Sequence, residues 1–172
     1  MTTSVAVVVG NPKPQSRTLD VARRVAEVAA TAGTAEYATV DIDLATVAGE
    51  LFDWQSARVR ALVDAVTGSQ LAVIASPTYK ASYTGLLKAF LDWFARDQLA
   101  AVTVVPVMVG AAPEHALAVE VHLRPVLVEL GASMPTRGLY VLESQLGDLD
   151  AVLDAWLVTA RPQLASALTR AP

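Results

Sequence analysis

Cysteine is absent from all 172 residues, which excludes disulfides, thiolate nucleophiles and Cys-ligated zinc or iron-sulfur centres. Any chemistry here must use other groups or a borrowed cofactor. Histidine occurs twice, at His115 and His122. Seven residues along one helix correspond to about 10 Å of rise, too far for both rings to hold one metal ion. Charge is also scarce: 13 Lys+Arg stand against 17 Asp+Glu, a net charge of -4. With no basic surplus there is no footprint for a polyanionic backbone, so nucleic acid is not expected as a partner. The longest apolar stretch, Ala100 to Pro113, is interrupted by Thr103 and Pro106 and falls short of the ~18 residues a membrane span needs. Met1-Thr-Thr-Ser has no basic n-region, and Val5 to Val9 ends at Gly10-Asn11-Pro12-Lys13, too early for a secretory segment. A soluble cytoplasmic protein without a membrane partner is expected.

What is present is apolar. Hydrophobic residues make up 53% of the chain, and the mean hydropathy is +0.43, so disorder is excluded. At this length roughly 70% of the unfolded surface can be buried, and residues 1–172 are expected to form one domain. No internal repeat, low-complexity tract or linker-like shift divides them. Val5 to Val9, Leu71 to Ala75 and Val102 to Val109 are continuous β-branched runs, the pattern of strands buried on both faces. Segments of helical period lie between them. Leu19, Ala22, Val25, Ala26 and Ala29 share one stripe opposite Arg23, Arg24 and Glu27, and Leu86, Leu87, Phe90, Leu91 and Phe94 form another. A third helical stretch runs from Leu117 to Leu130. Strands near Glu36 to Ile42 and Arg137 to Leu142, with helices near Gln55 to Val66 and Asp148 to Leu168, bring the total to five of each. Strict βα alternation predicts a three-layer α/β/α domain around a doubly wound, five-stranded parallel sheet in the flavodoxin-like order 2-1-3-4-5. Ligands then sit at the carboxyl ends of strands 1, 3 and 4.

Two loops at those ends carry candidate chemistry. After strand 1, Gly10-Asn-Pro-Lys-Pro-Gln-Ser-Arg-Thr18 leads small polar residues and cations into a helix N-terminus, where free N–H groups suit a phosphate. It is neither a Walker loop nor a G-x-G-x-x-G fingerprint. The plainer alternative is that Ser16 only caps the helix and the prolines shape the loop. After strand 3 comes Ser76-Pro-Thr-Tyr-Lys-Ala-Ser-Tyr-Thr-Gly85, in which a Pro, an aromatic and a Lys can wall a planar heterocycle. The alternative is a long loop with Tyr79 packed on the surface and Lys80 solvated.

The second loop and the helix after it resemble the Ser/Thr-Pro-x-Tyr-x-x-Ser-x-x-Gly-x-Leu-Lys-x-x-x-Asp stretch of the NAD(P)H-dependent FMN reductase family, above all its alkanesulfonate and methanesulfonate utilisation branch. The first loop is similar to that family's Gly-Ser-Pro-Arg-x-x-Ser-Arg-Ser/Thr phosphate loop, with Asn11 in place of Ser and Lys13 in place of Arg. Gly110-Ala-Ala-Pro-Glu-His115 resembles its Gly-Gly-x-x-x-His segment, with Ala111 in place of the second Gly, and Leu123-Arg-Pro-Val-Leu127 is also similar. The resemblance implies that Asn11, Lys13, Ser16, Arg17 and Thr18 hold an FMN phosphate. It likewise implies that Pro77, Thr78, Tyr79, Lys80 and Ser82 wall the isoalloxazine, and that Gly110, Ala111 and His115 form the far rim. Where the branch carries a Tyr tied to subunit packing, this chain has Val121 and His122.

The expected activity is NAD(P)H:FMN oxidoreduction, with hydride passing from nicotinamide C4 to flavin N5 and no side chain needed as acid or base. Reduced flavin would go to an oxidant or to a partner flavin-dependent monooxygenase, and a homodimer or homotetramer is implied. Two other readings stay open: an enzyme that retains FMN and reduces quinones, azo dyes or metal oxyanions, and a non-catalytic flavodoxin-like electron carrier. Other constellations are weaker. No metal site is expected. Asp41 and Asp43 read as a solvated strand end, and no G-x-S-x-G elbow occurs. Gly10-Asn-Pro12 lacks the acidic pair of a phosphorylated receiver domain. Pro125 should displace the carbonyl of Val121 and produce a kink or π-turn nearby. Phe90, Trp93 and Phe94 read as core or subunit contact, and would favour an oligomer if they protrude.

Overall fold

A computed structural model describes residues 2–33 and 36–169; Met1 of the N-terminal reading lies outside them. Strands β1 (Thr3–Val9), β2 (Tyr37–Asp43), β3 (Leu71–Pro77), β4 (Thr103–Gly110) and β5 (Leu139–Leu142) alternate with helices α1 (Arg17–Ala30), α2 (Ala57–Thr67), α3 (Gly85–Leu91), α4 (Arg124–Glu129) and α5 (Leu149–Thr169). All strand pairs are parallel and the sheet order is β2-β1-β3-β4-β5, as the alternation of periods predicts.

The β-branched runs work as expected for strands covered on both sides, since every residue of β3 and β4 is buried. Successive side chains alternate between two cores. Val5, Val7 and Val9 pack against α1 and α5, while Ala6 and Val8 face the core shared by α2, α3 and α4. On α1 the stripe Leu19, Ala22, Val25, Ala26 and Ala29 is buried. Its polar face reaches outward: Arg23 pairs with Asp41 and Arg24 with Asp150. Asp41 is thus an ion-pair partner at a strand edge, not one half of a catalytic carboxylate pair.

Two helical segments differ from the periodicity reading. The stripe from Leu86 to Phe94 is helical only to Leu91, and Phe94 packs from the turn beyond, edge-on to Phe90 with ring centroids 5.4 Å apart. Phe90 is fully buried and Trp93 Nε1 donates to the Leu51 carbonyl at 2.8 Å. Phe90 and Phe94 belong to the core and lend no support to an oligomer, while half-buried Trp93 packs against the edge of that core beside exposed Trp54. The stretch from Leu117 to Leu130 is not one helix. Val119–Leu123 forms a π-turn, and α4 continues from Arg124. Pro125 has no N–H for the Val121 carbonyl and its ring crowds that oxygen, so the chain widens there, as expected. Arg124 fastens the turn by donating to the Thr136 carbonyl at 2.6 Å, and Glu120 accepts from Gly138 N at 2.6 Å. Among the described residues no helix is long and apolar enough to cross a membrane, and no group of three or more His, Asp or Glu could hold a metal ion.

Candidate functional site

The ends of β1 and β3 are fastened together beneath the site by side chains from the second loop. Gly10 N donates to the Ala75 carbonyl at 2.9 Å. Thr84 Oγ1 donates to the Gly10 carbonyl at 2.5 Å and accepts from Leu87 N at 3.1 Å, which caps α3. Ser76 Oγ accepts from Thr84 N at 3.0 Å. A Cβ on residue 10 would lie 2.4 Å from the Leu87 Cβ, so glycine is required for the start of α3 to approach this closely. Neither Ser76 nor Thr84 was among the expected site residues. Their spacing to Gly10 carries no local signal.

From this base the first loop rises into α1. Asn11 folds back on it: Oδ1 accepts from Lys13 N at 2.9 Å and Nδ2 donates to Thr18 Oγ1 at 3.0 Å. Gln15 adopts φ 50°, a left-handed backbone that costs a side-chain-bearing residue about 1–2 kcal/mol. Its N–H donates to Asp43 Oδ2 at 2.9 Å. Ser16 stands at the N-cap of α1 but makes no side-chain cap bond, which corrects the plainer capping reading. Its residue is 4% exposed, and its Oγ is buried with no hydrogen-bond partner among the described residues. The N–H groups of Arg17 and Thr18 begin the helix and have no intrahelical carbonyl to bond.

A concavity of about 320 Å³ opens at this point. It is lined from the first loop by Asn11, Lys13, Ser16, Arg17 and Thr18, and from the end of β3 by Pro77 and Tyr79. The structure therefore brings seven of the expected residues to one wall. Gln15, Asp20, Val109 and Glu143 also line it and were not anticipated. Asp20 and Glu143 set two acidic groups against Lys13 and Arg17, and Glu143 accepts from Arg17 at 3.0 Å. A wider groove of about 480 Å³ runs between α3 and α4, away from these strand ends. The chemistry favours the smaller cavity, where a buried hydroxyl, helix N–H groups and cations converge.

The other expected residues, Thr78, Lys80, Ser82, Gly110, Ala111 and His115, do not line this cavity. Tyr79 and Ser82 close a tight turn through Tyr79 N to the Ser82 carbonyl at 2.8 Å and Ser82 N to the Tyr79 carbonyl at 3.1 Å. Lys80 and Ala81 occupy its tip at φ 51° and 64°, with no glycine to relieve them. Thr78 N donates to the Val109 carbonyl at 2.7 Å, tying this loop to β4. Ala111 is exposed, and half-buried His115 ends a short 3-10 turn, Pro113–His115. Gly110 has a neighbour that local sequence did not reveal. A Cβ there would meet the Tyr140 hydroxyl at 2.1 Å and Thr78 Oγ1 at 3.0 Å. Tyr140 donates from that hydroxyl to the Ala112 carbonyl at 2.9 Å. Burial pushes the Tyr140 phenol up, with the Thr78 hydroxyl pulling the other way. The glycine thus accommodates a tyrosine from β5, and the Gly110 to Ala112 backbone is held by it.

The residues on the wall fit a phosphate monoester. Burying a hydroxyl without a partner costs about 1–3 kcal/mol, and a phosphate oxygen would relieve that cost at Ser16 while accepting from the α1 N–H groups. Lys13 would supply charge as a point cation, not a bidentate fork.

Residues 3–147 match the family model of NADPH-dependent FMN reductases. An FMN reductase (NADPH) of Pseudomonas putida is 36% identical over 88 residues, 51% of this chain and 45% of that protein. An NADH-dependent FMN reductase of Pseudomonas putida, SfnF, is 35% identical over 88 residues, 51% of this chain and 47% of that protein. The chain thus spans about half the length of these curated relatives. Among solved structures, an apo NADH:FMN oxidoreductase (EMOB) superposes with a TM-score of 0.84 at 28% identity, covering 99% of this chain and 91% of that one.

Proposed function

The chain belongs to the NADPH-dependent FMN reductase family, and from that premise we propose that it is an NAD(P)H:FMN oxidoreductase whose flavin phosphate binds at the start of α1. The observation that supports the placement is Ser16, which lines a cavity at a helix N-terminus and whose buried hydroxyl has no partner among the described residues. Lys13, Ser16 and the N–H groups of Arg17 and Thr18 hold the phosphate, while Asn11 braces the loop through Thr18. Pro77 and Tyr79 flank the ring, and the strained Lys80–Ala81 tip, with Thr78 and Ser82 behind it, fixes where Tyr79 stands. Gly110, Ala111 and His115 form the opposite rim, their backbone anchored by Tyr140. When bound, the flavin supplies the hydride-accepting ring and the nicotinamide supplies the hydride. The chain's part is to orient the two, to keep one ring face accessible and to offer fixed donors; no side chain is required to move a proton.

The fuller reading adds a partner and a setting. Residues 1–172 act as one domain, supported by both cores sharing one sheet. Reduced flavin passes to a partner flavin-dependent monooxygenase, in the cytoplasm where nicotinamide nucleotides are available. A homodimer or homotetramer is supported by Leu117, Val121 and Val128, which leave apolar side chains 62%, 57% and 59% exposed just before and along the π-turn and α4; light scattering tests it, and a monomer at micromolar concentration would reject it.

The activity is tested by stopped-flow mixing of protein and FMN with NADH and, separately, NADPH. Bleaching of the flavin absorbance with at least one donor is expected; none with either rejects the reductase assignment. The placement is tested with the K13A/S16A double variant, which should weaken FMN at least tenfold and leave riboflavin, which lacks the phosphate, nearly unchanged. Equal FMN affinity in variant and wild type would refute the phosphate site.

A further inference from the structure

We propose that Glu143 is a built-in competitor for the flavin phosphate: it engages Arg17 on the cavity wall and thereby makes the flavin exchangeable rather than firmly held. The proposal rests on the placement of the phosphate at the start of α1 argued above.

Four charged side chains line the cavity. Lys13 and Arg17 are cationic, Asp20 and Glu143 anionic. Their formal charges cancel, so a phosphate monoester carrying nearly two negative charges enters a neutral site instead of a cationic one. Arg17 follows Ser16 directly and is the one side chain on the wall with a guanidinium fork, the geometry best matched to phosphate oxygens. That fork donates to Glu143 at 3.0 Å. Glu143 follows the last residue of β5, 126 positions away, and the strand end delivers it to the cavity.

The pair is made to open. Arg17 and Glu143 are 67% and 44% exposed, and ion pairs in such water-rich surroundings contribute little net free energy. Arg17 can therefore turn from carboxylate to phosphate at small cost, while Glu143 remains nearby as a like charge to the incoming ligand. A sphere of the cavity's volume, about 320 Å³, would be about 8 Å across, which sets the scale for the separation of Glu143 from a bound phosphate. At that distance, in a water-like dielectric, one carboxylate weakens the binding of a doubly charged phosphate about fivefold.

A second ion pair supplies the control. Arg24, also on α1, is paired with Asp150 at 2.7 Å, yet neither residue lines the cavity. If Glu143 acted only by stapling α1 to the C-terminal part of the chain, removing the charge of Asp150 would have a similar effect on ligand binding.

The test titrates FMN and riboflavin, by quenching of flavin fluorescence, into the full chain and its E143Q, D150N, R17A and R17A/E143Q variants. E143Q is expected to tighten FMN about fivefold, to slow its dissociation in stopped-flow displacement, and to leave riboflavin unchanged. D150N should change neither ligand. In the R17A background the direct repulsion remains, so E143Q should still tighten FMN, and the gain should fall only by what the lost competition for Arg17 contributes. Unchanged FMN affinity in E143Q overturns the proposal, as does equal tightening of riboflavin or the same gain from D150N. A wild-type protein that binds neither flavin overturns the flavin-site reading and this proposal with it, whereas flavin binding indifferent to Glu143 overturns the proposal alone.

Discussion

The Gly110→Ala substitution isolates what glycine does at the end of β4. An added Cβ would fall 2.1 Å from the Tyr140 hydroxyl and 2.9 Å from its ring carbon Cζ, so Tyr140 must move. Moving it breaks the 2.9 Å bond to the Ala112 carbonyl, worth about 0.5–1.5 kcal/mol, and overpacks a filled region at a cost of about 1–3 kcal/mol. Together the loss should be about 2–4 kcal/mol, a large share of a small domain's stability. Urea denaturation followed by tryptophan fluorescence measures it. Repeating the substitution in a Tyr140→Phe background removes the closest contact and keeps the ring carbon at 2.9 Å and Thr78 Oγ1 at 3.0 Å, so the penalty should fall by at least about 1 kcal/mol, which a double-mutant cycle reads as coupling. A penalty below about 0.5 kcal/mol, or the same penalty in both backgrounds, would show that Gly110 is not there for Tyr140 and would leave flavin approach as its reason.

Thr84→Val preserves shape but removes the donor to Gly10 and the acceptor for Leu87 N; about 2–3 kcal/mol of destabilisation in urea is expected from a lost cap and a buried unpaired carbonyl, and less than about 1 kcal/mol would refute the bracing role. Burial pushes the Glu120 carboxyl up, but the Arg124 guanidinium and the Gly138 N–H favour the carboxylate and hold it below its ordinary value. A lowered folded value contributes stability above the unfolded value that is lost as pH falls through the folded one, so between about pH 5 and pH 3 the wild type should lose more stability than Glu120→Gln. Parallel curves would contradict that.

The layers of the fold were legible because its signals are local. Continuous β-branched runs mark strands covered on both faces, and a 3.6-residue stripe marks α1. Pro125 announced the π-turn, since a missing donor has a local effect wherever the helix runs. Helix ends were less legible. Phe94 keeps the spacing of the α3 stripe yet lies beyond the helix, because tertiary packing against Phe90 suffices to bury it in a turn.

The site divides along the same line. The phosphate wall is contiguous in sequence from Asn11 to Thr18, and a helix N-terminus needs nothing distant to present its N–H groups. What escaped the reading lies on β5 and just after it: Tyr140 reaches Gly110 and Ala112 across 28 to 30 positions, and Glu143 reaches Arg17 across 126. A parallel sheet makes such meetings inevitable, because it gathers the carboxyl ends of all its strands at one edge whatever their separation along the chain. Strand order, not spacing, determines which residues can meet there. With β5 beside β4, Tyr140 becomes a neighbour of the rim, and α1, which packs across β1, β3 and β4, brings Arg17 to Glu143 just past the end of β5, so a strand that contributes only four residues to the sheet helps set both the shape and the charge of the cavity.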